Sequence, residues 1–154
     1  MADTRSVTAE LGTPALYELG LSEALRDLVE RFELAHGVEA SFEDDGAEKP
    51  LSDSCRLFVF QAVGELLHNV LKHSDAGSVS VALRRDGRSL AVSVSDAGIG
   101  FDARRADLRA TPAGGFGLFN IRERALHFGG DCRIRSRPGR GTEVVLYLPL
   151  QLRD

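Results

Sequence analysis

The sequence predicts an α+β fold: a two-layer sandwich of a mixed, mostly antiparallel sheet with helices on one face. Three observations predict it. Two long segments carry apolar residues at helical spacing, Leu21 to His36 and Asp53 to His73. Two pairs of alternating strands close on tight glycine turns, at Asp86-Gly87-Arg88 and at Pro138-Gly139-Arg140-Gly141. In the first pair Val79, Val81 and Leu83 alternate, as do Leu90, Val92 and Val94, so one face of the sheet is covered and the other is polar. A chain of 154 residues, 43% hydrophobic and 27% charged, has the length and composition of one globular domain.

The elements follow in order. Residues 1–20 read as a tail and linker, with Pro14 and Gly20 as breakers, and residues 21–152 as the domain. In the first helix Ser22 is the expected N-cap and Glu23 favours the positive end. Leu21, Leu25, Leu28, Val29 and Phe32 form its apolar face, and His36-Gly37 its end. Val38 to Phe42 alternates like a short strand, and the acidic run Glu43 to Pro50 reads as a loop. The longest helix, capped by Ser52 or Asp53, groups Phe60, Val63, Leu67, Val70 and Leu71 on one face. Gln61, Glu65, Asn69 and Lys72 make a narrow polar stripe opposite. Alone, that stripe reads equally as a solvated face or as the wall of a site. Strands over Ser78 to Arg85 and Ser89 to Ser95 come next, and Asp102 to Ala113 has no pattern. Gly114-Gly115-Phe116-Gly117 opens a helix from about Leu118 to Phe128, ended by Gly129-Gly130. Asp131 to Arg137 then pairs with Thr142 to Pro149.

Charge and composition exclude several functions. The net charge is −4, against the basic face a nucleic-acid binder needs. The two cysteines, Cys55 and Cys132, form no C-x-x-C and read as buried small hydrophobes in a reducing compartment. No apolar run approaches the ~20 residues of a membrane span, and Met1 to Ser6 is polar. The expected location is cytoplasmic, with no direct membrane contact, while a membrane-anchored parent protein stays open. There is no G-x-x-x-x-G-K-[ST], which excludes a P-loop nucleotide site.

What remains is a set of polar and glycine motifs in fixed order. Glu65-x-x-x-Asn69-x-x-Lys72-His73 lies on the long helix. Asp96-x-Gly98-x-Gly100 follows a strand. Gly114-Gly115-x-Gly117-Leu118 precedes a helix, and Gly139-x-Gly141-Thr142 opens the last strand. Their chemistry points to a polyanionic ligand. Asn69 offers a neutral oxygen of the kind Mg²⁺ accepts, and Glu65, one turn earlier, reaches the same region. Glu65 could hold a metal-bound water or take a proton from an attacking group. Lys72 and His73 could neutralise phosphate oxygens. Gly114, Gly115 and Gly117 bare backbone N–H groups ahead of a helix, where anions bind. Gly98 and Gly100 let the chain turn close to a ligand beside Asp96.

Together the motifs resemble the N, G1, G2 and G3 boxes of the GHKL ATPases, which include histidine kinases, type II topoisomerases, mismatch-repair MutL and heat-shock chaperone ATPases. Pro14-Ala15-Leu16-Tyr17-Glu18-Leu19-Gly20-Leu21, the pair Lys72-His73, and Gly117-Leu118-Phe119-Asn120-Ile121-Arg122-Glu123-Arg124 are similar to histidine kinases of the NarL/DesK type. The resemblance implies the Bergerat α/β sandwich and an ATP-binding catalytic domain using ATP and Mg²⁺. It implies Asn69, with Glu65, at the metal, and Glu65, Lys72 and His73 in catalysis. It implies Asp96 on the adenine amino group, and Thr142, through water, at the same end. Gly98, Gly100, Gly114, Gly115, Gly117 and Leu118 would complete the nucleotide contacts, with residues 102–113 as a lid. It also implies partners: residues 1–20 would join the domain to dimerisation helices carrying the phosphoacceptor, and a response regulator would be served indirectly.

The acceptor histidine of such kinases is followed by Asp or Glu. The four histidines here precede Gly37, Asn69, Ser74 and Phe128, so the target is expected outside this chain. Two alternatives share the boxes: an anti-sigma-factor-type serine kinase, which normally lacks a linker like Pro14 to Leu21, and a nucleotide-gated binding module without transfer.

Overall fold

A computed structural model describes the chain over residues 20–74, 77–98 and 117–152, including the side chains there except those of His73 and Ser74. The element order is α1 (Leu21–His36), β1 (Glu39–Asp44), α2 (Asp53–Asn69) with a π-helical continuation (Val70–Ser74), β2 (Ser78–Asp86), β3 (Ser89–Asp96), α3 (Leu118–His127), β4 (Asp131–Ser136) and β5 (Thr142–Pro149).

The strands form one five-stranded sheet in the order β1-β2-β3-β5-β4. β1 and β2 are parallel and every other pair is antiparallel. The expected mixed, mostly antiparallel sheet is therefore present. Alternation decides its faces. Val79, Val81 and Leu83, then Leu90, Val92 and Val94, then Val144, Leu146 and Leu148 are buried against the helices. Ser80, Ser93, Val145 and Tyr147 stand on the other face and keep contact with solvent.

α2 is the central helix. Cys55, Phe58, Val59, Ala62, Val63, Leu66, Leu67 and Val70 recur at three- and four-residue steps and are all buried. Its start is Ser52, whose hydroxyl accepts from the Cys55 N–H at 3.2 Å. α1 begins two residues earlier than an N-cap at Ser22 would place it. Gly20, at φ 88°, is the N-cap, and the Ser22 hydroxyl instead bonds the carboxylate of Asp44. Gly37 at φ 67° ends α1 in the left-handed conformation. The first strand runs on to Asp44 rather than ending at Phe42, because Asp45 continues the pairing. Its N–H donates to the Leu83 carbonyl, and its carboxylate accepts from the Arg85 N–H. At the open edge, Glu33 of α1 accepts from the Ala40 N–H at 2.9 Å, which satisfies a donor that would otherwise invite another strand.

α3 packs on α2. Phe128 stacks on Phe58 at 5.3 Å between ring centroids. Arg124 lies 4.8 Å over the Phe58 ring and reaches the Gln61 side chain. Gly130 leaves α3 where only glycine fits, since a Cβ there would lie 1.8 Å from the Tyr147 carbonyl oxygen. Both cysteines are buried free thiols, as their isolation in the sequence suggests. Burial pushes the Cys132 thiol up to about 11, with the charge of Arg122 partly opposing it.

Candidate functional site

Topology gathers the motif residues that fall within the described part of the chain. β2 starts at Ser78, a few residues after the π segment ends at Ser74, and Val79 pairs with Asp96 at the close of β3. The C-terminal end of α2 and the C-terminal end of β3 are thus neighbours. Asp96 pairs in turn with Thr142, the first residue of β5, and Thr142 with Ser136, the last of β4. These three share the parity of Val94, Val144 and Ile134, so they form the last row of the helix-facing side of the sheet. There the apolar core gives way to polar groups.

α3 arrives at the same end. It leads into β4 through Gly129 and Gly130, and Asp131 pairs with Tyr147, far along β5 from Thr142. The C-terminus of α3 therefore lies at the opposite end of the sheet. Its contacts agree: Phe128 meets Phe58, while Arg124, one turn earlier, reaches Gln61, a turn later in α2. α3 runs antiparallel to α2, and its N-terminus at Gly117 and Leu118 points toward the part of α2 that bears Glu65 and Asn69.

The individual groups are arranged as follows. Glu65 and Asn69 are both half-buried on α2, about 6 Å apart along the axis. Lys72 is exposed and sits in the π segment, whose wider turn departs from the straight-helix spacing that aligned it with them. Asp96 is half-buried, and one of its oxygens accepts from the Gly98 N–H at 2.8 Å. Gly98 itself is buried. Gly117 is the extended N-cap of α3, with no side chain to satisfy the amides of the first turn. Leu118 packs against the core. Gly141 holds φ 78°, and a Cβ on it would meet the Asp96 carbonyl oxygen at 2.1 Å. Gly100, Gly114, Gly115, the lid stretch 102–113 and the tail and linker up to residue 19 lie outside the described residues, as does the side chain of His73.

An open groove beside this row is lined by Asp96, Ser136, Gly141 and Thr142 among others, with Arg135, Arg137 and Arg140 of the last hairpin also on its wall. Ser136 has no place in the sequence motifs. Its Oγ lies 2.8 Å from Thr142 Oγ1 and donates to the Gly141 carbonyl at 3.1 Å. Only the cross-strand register brings it there, and no short-range pattern signals that. Among the described residues no three His, Cys, Asp or Glu side chains cluster as a metal cage. Asn69 and Glu65 offer three side-chain oxygens at most, which suits a hard cation held mainly by phosphate and water.

Fold and groove together define a class: a two-layer α/β sandwich with a polar, glycine-bordered cleft at one end of its sheet. Known proteins give that class its family. The profile of the histidine kinase-, DNA gyrase B- and HSP90-like ATPases matches residues 54–152, and the chain belongs to this family, which makes it an ATP-binding domain. It is 33% identical over 148 residues to the oxygen sensor histidine kinase NreB of Staphylococcus carnosus, covering 96% of this chain and 42% of that protein. It is 29% identical over 150 residues to the signal transduction histidine-protein kinase/phosphatase DegS of Brevibacillus brevis, covering 97% of this chain and 38% of that protein. The chain thus spans about two fifths of the length of these relatives. Among solved structures it shares its fold with the blue-light activated histidine kinase of Erythrobacter litoralis. That match has a TM-score of 0.68 at 21% identity and covers 84% of this chain and 42% of that one. No described helix is long and apolar enough to cross a membrane.

Proposed function

We propose that this domain holds Mg²⁺-ATP and transfers its γ-phosphoryl group to a histidine outside the chain, on the dimerisation helices of a sensor kinase that in turn serves a response regulator. The observation that carries the reading is the convergence of Glu65 and Asn69, of Asp96 and Thr142, and of the uncapped start of α3 on one end of the sandwich. Each part has a distinct task. Asp96 accepts from the adenine amino group, and Thr142 supports the same edge of the base through water. The bare amides at Gly117 and Leu118 hold phosphate oxygens without a side-chain competitor. Gly100, Gly114 and Gly115 belong to the same nucleotide-contacting loops.

Asn69 and Glu65 are the groups that would hold the cation, which when bound neutralises charge on the β- and γ-phosphates. Glu65 orients the attacking imidazole or takes its proton, and Lys72 and His73 offset the phosphate charge. Phosphoryl transfer depends mainly on positioning and charge stabilisation, so the acceptor must be presented in line by another segment. Similarity to the sensor kinases NreB and DegS along nearly the whole chain favours this reading over the serine-kinase alternative.

Asn69→Ala tests the site directly. Asn69 lies off the buried face of α2, so the variant should keep the parent's unfolding midpoint without nucleotide and lose the Mg²⁺-dependent part of ATP binding in calorimetry. A large loss of stability, or unchanged Mg²⁺ dependence, would count against the assignment.

A further inference from the structure

α3 is held by few side chains. Of its ten residues only Ile121 and Ala125 are buried, and Gly117 at its start offers no side-chain cap. Its far end is fixed by Gly130, which sits against the Tyr147 carbonyl, and by the pairing of β4 with β5 that follows. Between those ends Arg124 makes the link to α2. Its guanidinium carbon lies 4.8 Å from the centroid of the Phe58 ring, and both of its terminal nitrogens donate to Gln61 Oε1 at 3.4 Å. Phe128, one turn on along α3, stacks on the same ring.

Gln61, Glu65 and Asn69 follow one another at four-residue steps, along one stripe of α2. Arg124 therefore ties α3 to the stripe that carries the two groups assigned to the cation. It stands six residues after Leu118, about 9 Å along the helix axis. A shift of α3 at that point is carried to its first turn, where the bare amides lie.

We propose that Arg124 is a positioning residue for the phosphate end of the site: by lying on Phe58 and holding Gln61 it sets the first turn of α3 against Glu65 and Asn69, so that amides and cation oxygens address the same phosphates. The guanidinium fork matters, because two donors on one acceptor fix direction as well as distance. Loss of the contact falls on the phosphates and not on the base, since Asp96 and Thr142 are carried by the sheet. The inference rests on the reading of this end as a nucleotide site.

The test compares Mg²⁺-ATP, bound by titration calorimetry, with adenosine, bound by displacement of ATP. It uses the parent, Arg124→Met, Gln61→Met and the double variant, with unfolding midpoints recorded for each. Arg124→Met keeps an unbranched apolar stem on the Phe58 ring and removes the guanidinium. Its ATP affinity should fall about 3- to 10-fold while adenosine binding holds. Loss of a positive charge alone would also weaken binding of a polyanion, so Gln61→Met is the decisive variant. It leaves every charge in place and should still lower ATP affinity about 2- to 5-fold. The double variant should bind ATP about as Arg124→Met does, because both changes break one contact. If Arg124→Met does not fold, Arg124→Lys, which keeps the charge and loses the fork, takes its place and should show the same selective loss. An unchanged ratio of ATP to adenosine affinity in either single variant overturns the proposal, as does a double variant whose losses add. A parent that binds neither ligand overturns the nucleotide site itself.

Discussion

Asp96 ends a strand whose preceding alternate residues, Leu90, Val92 and Val94, are all buried. A carboxylate at that boundary is shielded from water on one side and open to a ligand on the other. Asp96→Asn keeps the size and removes the ionised acceptor. A hydrogen bond to a charged group contributes about 1.5–3 kcal/mol, so ATP affinity should fall roughly 10- to 150-fold. Titration calorimetry measures this, and a change below threefold would remove Asp96 from base recognition. Gly141 supports Asp96 by leaving space. Gly139 and Gly141 both hold φ 78°, but only Gly141 would press a Cβ against the Asp96 backbone. Gly141→Ala should therefore weaken ATP binding well beyond Gly139→Ala, with both carrying the strain of a positive φ. Equal losses in the two variants would mean that the contact with Asp96 is unimportant. Asp96, Asn69 and Thr142 stood out in the sequence because each lies beside a glycine turn or repeats at helical spacing. Ser136 did not, because its meaning comes from a partner on another strand.

At the scale of elements, apolar periodicity identified the helices and hairpins, while their ends were set by contacts further off. Ser22 looks like a cap from its neighbours, yet it is drawn to Asp44 across the β1 edge. The π-helical end of α2 was not legible, because Val70 and Leu71 continue the apolar pattern through it. Lys49 shows how a loop gains order without an apolar core. Its ammonium is almost wholly enclosed and bonds Asp44 at 2.7 Å, Asp45 at 2.5 Å and the Ala47 carbonyl at 2.8 Å. Partial burial opposes ionisation of Asp44, but Lys49, the Ser22 hydroxyl and the Gly46 N–H outweigh it and hold the carboxyl below its usual range. The Lys49 hydrogen bond and the N–H groups of Arg85 and Ala47 hold Asp45 far below that range. Depressed carboxylates add stability that is present above their unfolded pKa of about 4 and is lost as pH falls through the folded values. Lys49→Met should lower the unfolding midpoint at neutral pH, and the gap to the parent should close in acid. A gap that persists at low pH would mean the lysine acts through packing of its stem instead.

For the whole molecule, the fold class and the family were legible in the sequence because four motifs in order constrain a chain more than any one does. Their meeting at one end of the sandwich was not, since it depends on strand order and on α3 running antiparallel to α2. Those two features bring residues from Glu65 to Thr142 to one end of the sandwich. The account's central claim is that this end prepares ATP for a histidine carried elsewhere. The most direct measurement uses γ-labelled ATP with Mg²⁺, given to the chain alone and to the chain mixed with the dimerisation helices of a sensor histidine kinase, with acid-labile label counted on each component. The account predicts label on the helices' histidine in the mixture and none on the chain alone. It also predicts that Glu65→Gln slows transfer while ATP binding stays close to the parent's. Acid-labile label at His36, His68, His73 or His127 of the chain alone would contradict it, as would a Glu65→Gln variant that loses nucleotide binding in step with transfer.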